Sequence, residues 1–167
     1  VGEHILHTLS YVKADKALRL GMIFHDIAKP GTLTVDEEGI THNHGHAVIG
    51  EEMTVRIMKR LKFDNDTTDI VRKIVRYHDW KIENNMKSVR RAINHIGEDI
   101  FPLLFSVKYA DIMAQSDYQR EEKLQDLETL KVIYEDIIAK EDCLSLKDLA
   151  VTGGDLIAAG MKQGREI

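Results

Sequence analysis

The stretch KALRLGMIFHDIAKP, residues 16–30, determines how the rest of the sequence is interpreted. Apolar side chains surround it almost completely, which is typical of a helix buried in the middle of a domain. Two polar side chains, His25 and Asp26, interrupt this pattern near its end. Pro30 and Gly31 follow, and we expect them to end the helix.

A buried aspartate needs a partner. Burying its charge costs several kcal/mol unless the carboxylate is paired or binds a cation. Adjacent helical residues diverge by about 100°, so His25 and Asp26 can share one ion only where the helix loosens, as near Pro30. A core histidine beside a capping aspartate explains an isolated His-Asp pair equally well, and the pair alone does not distinguish the two interpretations.

Four more side chains of the metal-binding type lie on predicted helices: His4, His46, His78 and Asp111. Asp111 continues a stripe of apolar residues at helical spacing, and His78 does the same on another helix. Each of them alone is more often structural than functional. Together, imidazoles and carboxylates that point inward from several helices are what a nitrogen- and oxygen-ligated metal site in a helical core requires.

The remaining pattern predicts a single all-α domain. The chain has 167 residues, 43% hydrophobic and 31% charged, which is ordinary for one globular domain. A weak alternation suggests one small β-hairpin near 32–42. Helical spacing predicts further helices over 47–61, from 66, over 87–97, 99–115 and 120–139, and near 155–160.

Cysteine content and hydropathy exclude several classes of protein. The single Cys143 excludes a disulfide framework and a thiolate zinc site, and it indicates a reducing cytoplasm. No apolar run approaches the roughly 20 residues of a membrane span, so we expect no membrane partner.

Charge is unevenly distributed in a chain whose net charge is −5. Residues 56–91 carry 11 Lys/Arg against five acids, a local net charge of +6. Solvated outer faces of helices explain this excess. A basic face that follows the phosphate backbone of a nucleic acid explains it as well.

Several motifs resemble known proteins. The order His4, His25-Asp26, Asp111 resembles the H…HD…D signature of the HD superfamily of metal-dependent phosphohydrolases. The segments EHILHTL (3–9), ALRLGMIFHDIAKPGT (17–32), HGHAVIGEEM (44–53) and SLKDLAVTGGDLIAAGMKQGREI (145–167) are similar to the C-terminal half of bacterial tRNA nucleotidyltransferases (CCA-adding enzymes) that carry an HD domain.

The resemblance implies roles for individual residues. His4, His25, Asp26 and Asp111 match the metal ligands of a mononuclear site, and Lys29 matches a lysine that faces the substrate phosphate. The implied catalytic residues are therefore Asp26 and Lys29. His46 and His78 match histidines with which some HD proteins hold a second ion, bridged here by Asp26. The implied cofactor is one or two divalent ions, Mn, Fe, Co, Ni, Zn or Mg.

The implied activity is hydrolysis of phosphomonoesters or 2′,3′-cyclic phosphodiesters in tRNA 3′-end processing, with a phosphate ester or nucleotide as substrate. The implied domains are an HD metal-binding domain over 1–140 and a C-terminal extension over 141–167. The motifs of a nucleotidyltransferase head are absent, so the chain cannot add nucleotides by itself, and we expect a piece of a larger enzyme. Two alternatives remain: an inert helical body that supports tRNA for a missing head, and a regulatory domain that hydrolyses a free nucleotide.

Overall fold

The computed structural model describes residues 2–140 and 153–160. It confirms an all-α fold with one small antiparallel sheet. In chain order the elements are α1 (Gly2–Leu9), α2 (Lys16–Phe24), α3 (Lys29–Thr32), β1 (Thr34–Val35), β2 (Thr41–His42), α4 (His46–Arg60), α5 (Asn65–Tyr77), α6 (Met86–Ile96), α7 (Phe101–Ala114), α8 (Arg120–Ala139) and α9 (Gly153–Ala158).

The helix α2 lies at the centre of the fold. It begins after Asp15, whose carboxylate accepts a hydrogen bond from the Leu18 N–H at 2.9 Å and so caps the helix. Along its length α2 packs against α5, and a Cβ at Gly21 would lie only 2.6 Å from a methyl group of Ile74. Glycine therefore allows the two helices to approach closely, which places the end of α2 beside the end of α5.

The end of α2 differs from the prediction. The helix ends at Phe24 rather than at Ala28, and turns lead from there into α3. The prediction that Pro30 ends the helix is wrong, because Pro30 lies in the first turn of α3. Proline is tolerated there, since its missing N–H would have no partner in a first helical turn. The backbone therefore loosens at His25 and Asp26 themselves.

The other helices surround α2 and α5. The helix α1 packs against α2 and α7, α4 packs against α5, and α8 packs against α6 and α7. The hairpin pairs Thr34 with His42 and lies within the predicted range. The helix α8 has the predicted bounds, and it buries Leu130 and Ile137, which lie seven residues apart on one face.

Two predictions lie largely outside the described residues. Of the proposed extension over 141–167, the structure describes only 153–160, which contain α9 near the predicted position. Cys143 also lies outside them. Within the described ranges, no helix combines the length and the apolar character needed to cross a membrane.

Candidate metal centre

All six predicted metal ligands come together at one place in the core. Five segments deliver them: α1, the turn after α2, the first turn of α4, the residue after α5, and the last turns of α7. The residues are His4, His25, Asp26, His46, His78 and Asp111.

The first half of the site lies between α1, α2 and α7. The Nε2 atom of His4 lies 2.9 Å from Oδ1 of Asp111 and 3.3 Å from Nε2 of His25. The same His25 nitrogen lies 3.3 Å from Oδ2 of Asp26. His4, His25 and Asp26 present ligand atoms close enough together to hold one metal ion, and Asp111 borders the same space.

The second half lies between α4, α5 and the other oxygen of Asp26. The Nε2 atoms of His46 and His78 are 3.2 Å apart. Oδ1 of Asp26 lies 3.8 Å from the first and 3.6 Å from the second. This oxygen is buried and has no hydrogen-bond partner within the described residues. A buried carboxylate oxygen without a partner is costly, so this oxygen is well placed to bind a cation.

The four histidines share a hydrogen-bonding pattern that supports the same conclusion. Each directs Nδ1 at a backbone carbonyl oxygen, which assigns the proton of the neutral ring to Nδ1 and leaves a lone pair on Nε2. Two such lone pairs that face each other at 3.2–3.3 Å cannot form a hydrogen bond, but they can share a cation. The accepting carbonyls belong to Ala114 for His4, Met22 for His25, Asn43 for His46 and Val75 for His78.

The electrostatics of the site also favour a cation. Burial alone would raise the pKa of Asp26, but the imidazoles of His25 and His78 and the Lys29 ammonium hold its pKa well below the usual range of a carboxyl. Burial would lower the pKa of His25, but Asp111 and Asp26 raise it to about 9, so at neutral pH a metal ion would displace a proton from this ring. Burial would likewise raise the pKa of Asp111, but His25 and His4 hold it below its usual range, so both carboxylates are anionic at neutral pH. Two carboxylates beside imidazoles that can release a proton to a metal ion form a donor set that suits divalent transition metals.

Lys29 lies beside the site as the sequence predicted. Its Nζ donates a hydrogen bond to Oδ2 of Asp26 at 2.7 Å, and about a third of the side chain is exposed. The ammonium therefore lies next to the face of Asp26 that points at His25. In this position it partly neutralises Asp26 and can reach an anionic ligand.

Sequence reasoning missed two residues at the site. Gln115 donates from Nε2 to Oδ2 of Asp111 at 2.8 Å, while its own Oε1 accepts from Lys123 at 2.9 Å. Gln115 follows Asp111 by four residues, a spacing at which two side chains of a helix meet, and this spacing could have indicated the contact. Asp79 is the second, with Oδ2 3.5 Å from Nε2 of His46.

The other described histidines lie away from the centre. His42 and His44 stack on the hairpin with their ring centroids 5.1 Å apart. His7 is exposed on α1, and His95 is exposed on α6, where it contacts Trp80.

The sequence of the chain is similar to those of known proteins. A model of the HD domain family matches residues 1–115. The chain is 31% identical over 99 residues to the A-adding tRNA nucleotidyltransferase of Deinococcus radiodurans, covering 59% of this chain and 23% of the relative. It is 32% identical over 124 residues to the CC-adding tRNA nucleotidyltransferase of Thermus thermophilus, covering 69% of this chain and 28% of the relative. The chain therefore spans less than a third of either relative, and the resemblance inferred from its motifs is confirmed.

Proposed function

The chain belongs to the HD domain family, and we propose that it is a metal-dependent phosphohydrolase that cleaves phosphomonoesters or 2′,3′-cyclic phosphodiesters. The observation that carries the proposal is the buried carboxylate of Asp26, whose two oxygens face two separate pairs of histidine Nε2 atoms. In the proposed assignment His4, His25, Asp26 and Asp111 hold one divalent ion. His46, His78 and Asp26 hold a second.

The chain's own residues would prepare the site for hydrolysis. The backbone carbonyls fix the imidazole rings, so the Nε2 lone pairs need no rearrangement when a cation enters. A divalent ion bound there would supply Lewis acidity and activate water near neutral pH. Lys29 would add a positive charge beside the phosphate oxygens. Water supplies the oxygen that adds to phosphorus, the ester P–O bond breaks, and the alcohol leaves with a proton.

The direct test combines metal analysis with hydrolysis. We expect the purified chain to contain a divalent transition metal and to hydrolyse a nucleoside 2′,3′-cyclic phosphate or a 2′-nucleotide. Chelation should abolish the activity and lower the melting temperature, since an ion that binds only the folded state at about 100 times its Kd contributes about 2.7 kcal/mol. Protein that contains no metal, binds none on titration and hydrolyses neither ester would contradict the proposal.

Gln115 provides a finer test of the assigned ligands. Gln115→Ala removes the hydrogen bond that orients Asp111, and we expect metal affinity to fall about 10- to 100-fold, the usual cost of losing an outer-shell partner. Gln125→Ala, an exposed change on α8, is the matched control and should leave affinity unaltered. Equal affinity in the two variants, measured by metal titration, would mean that Asp111 is not a ligand.

A second candidate function is support of tRNA, since the relatives are tRNA nucleotidyltransferases. The 56–91 cations do not form one uniform face. Arg72 pairs with Glu51 at 2.7 Å, and Lys73 pairs with Asp69 at 2.9 Å. The cations around the C-terminal end of α4 make no ion pair with any described residue, and they are the proposed RNA contacts: Arg56, Lys59, Arg60 and Lys62.

Charge reversal tests this candidate. Lys59→Glu with Arg60→Glu should weaken tRNA binding and lower the slope of log K against log salt by about one to two, because fewer counterions are released. Hydrolysis of a small phosphate ester should change less than about twofold, since these residues lie away from the proposed ligands. Reversal of Lys131 on α8 and of Lys140, the residue that follows α8, is the control. A salt slope equal to that of this control would favour a solvated face.

A further inference from the structure

A cleft of about 570 Å³ adjoins the proposed metal centre. His78, Asp79 and Asp111 belong to its lining, so the cleft reaches the residues where a phosphate would react. Its volume lies within the range of about 300–1,000 Å³ that is typical of small-molecule sites. The segment between α5 and α6 forms one side, and α7 and α8 form the others.

The cleft also has an apolar wall. Trp80 lies in this wall together with Ile112 and Leu127. Behind Trp80, the rings of Tyr77 and His95 pack at centroid distances of 5.5 and 5.3 Å. The indole is therefore held by other rings while it borders the cleft, and its position is restricted. An ordered aromatic wall favours a flat, partly apolar group.

A partly buried lysine fixes this wall relative to the metal centre. Nζ of Lys108 donates hydrogen bonds to the carbonyl oxygens of His78 at 3.0 Å and of Trp80 at 2.9 Å. The Lys108 ammonium on α7 thus holds both the residue beside Asp26 and the residue of the apolar wall. Lys81 and Lys123 also lie in the lining, so three ammonium groups balance the three carboxylates Asp79, Asp111 and Asp126, and a divalent ion bound at Asp111 would make the lining net positive.

We propose that this cleft binds the nucleoside part of the substrate, with the base against Trp80 and the phosphate toward Asp111. The inference rests on the proposed function, because that function places the phosphate beside Asp111. Inorganic phosphate or a sugar phosphate would leave the aromatic wall without a partner. A nucleoside phosphate matches both the aromatic wall and the metal centre, whether it is a free nucleotide or the terminal residue of an RNA.

Binding can be measured without any turnover, because Trp80 is the only tryptophan in the chain. The intact chain is titrated with a divalent metal ion bound, and Trp80 fluorescence is read immediately after mixing, before turnover, with inner-filter correction. We expect saturable quenching by adenosine 2′-monophosphate and none by ribose 5-phosphate at equal concentrations. An oligoribonucleotide with a terminal phosphate distinguishes a free nucleotide from the terminal residue of an RNA, since it quenches the fluorescence only if an RNA end enters the cleft. Absence of quenching by both adenosine 2′-monophosphate and the oligonucleotide, or equal quenching by ribose 5-phosphate, would overturn the inference.

Kinetics of the metal-loaded chain provide a second measurement. Trp80→Ala should lower kcat/KM for a 2′-nucleotide about 5- to 100-fold, the range expected when a base loses its stacking partner, and leave ribose 5-phosphate within about twofold. Trp80→Phe should restore most of the loss, and Tyr118→Ala, an exposed aromatic change, should have no effect. Equal losses on both substrates would contradict the inference but not the proposed function. Absence of hydrolysis in the unaltered chain would contradict the proposed function, and the fluorescence titration would still decide whether the cleft binds a nucleoside.

Discussion

Replacing Asp26 with asparagine is expected to remove bound metal from both halves of the site in one step. Asp26 is the only residue that belongs to both groups of potential ligands found within the described residues. The amide keeps the shape of the side chain but loses its charge, and its nitrogen has no lone pair available to bind a cation. Loss of an outer-shell partner alone costs about 10- to 100-fold in affinity, so loss of this ligand should cost more than about 100-fold.

The measurements are metal content after dialysis, phosphate-ester hydrolysis, and the rise in melting temperature on adding metal. All three should fall to background in Asp26→Asn. The matched control is Asp36→Asn, which breaks an exposed carboxylate contact with His42 at 2.7 Å on the hairpin. That variant should retain all three properties. An Asp26→Asn chain that keeps its metal and its activity would show that the ion, if present, binds elsewhere.

The sequence indicated residues that the structure brings together, because burial makes polar residues conspicuous. His25 and Asp26 interrupt an apolar helix, and His78 continues the stripe of Ile70 and Ile74, so each is visible without a structure. A resemblance to HD proteins then implied a ligand role for each of these residues and the proposed division into two ions. Neither the pattern nor the resemblance specified the distances at which the two oxygens of Asp26 face the two pairs of histidines.

The parts of the structure that sequence reasoning did not predict depend on a choice between two local conformations or on tertiary contacts. Pro30 favours both the end of one helix and the first turn of another, and the structure adopts the second option. Gln115 has no unusual neighbours in the sequence, and its role depends on contacts with Asp111 and Lys123. Net charge over 56–91 likewise does not reveal that Arg72 is neutralised by Glu51.

The number of ions can be decided with His46 and His78. Their Nε2 atoms face each other at 3.2 Å, and the unpartnered oxygen of Asp26 completes the group. If this group holds a second ion, changing both histidines to alanine should reduce the metal content from two ions per chain to one. Hydrolysis should fall by about 100-fold or more, because one ion can no longer stabilise both the attacking and the leaving oxygen.

Removing two buried rings also leaves a cavity, so a loss of activity alone would be ambiguous. The double asparagine variant fills part of that space, and metal content per folded chain separates loss of a ligand from loss of folding. The matched control changes the stacked pair His42 and His44 on the hairpin to alanine, which removes two imidazoles away from Asp26 and should leave metal content and activity unaltered. Unchanged stoichiometry and full activity in the His46 and His78 variants would leave a single ion held by His4, His25, Asp26 and Asp111, because no other described residues offer the second group of ligands.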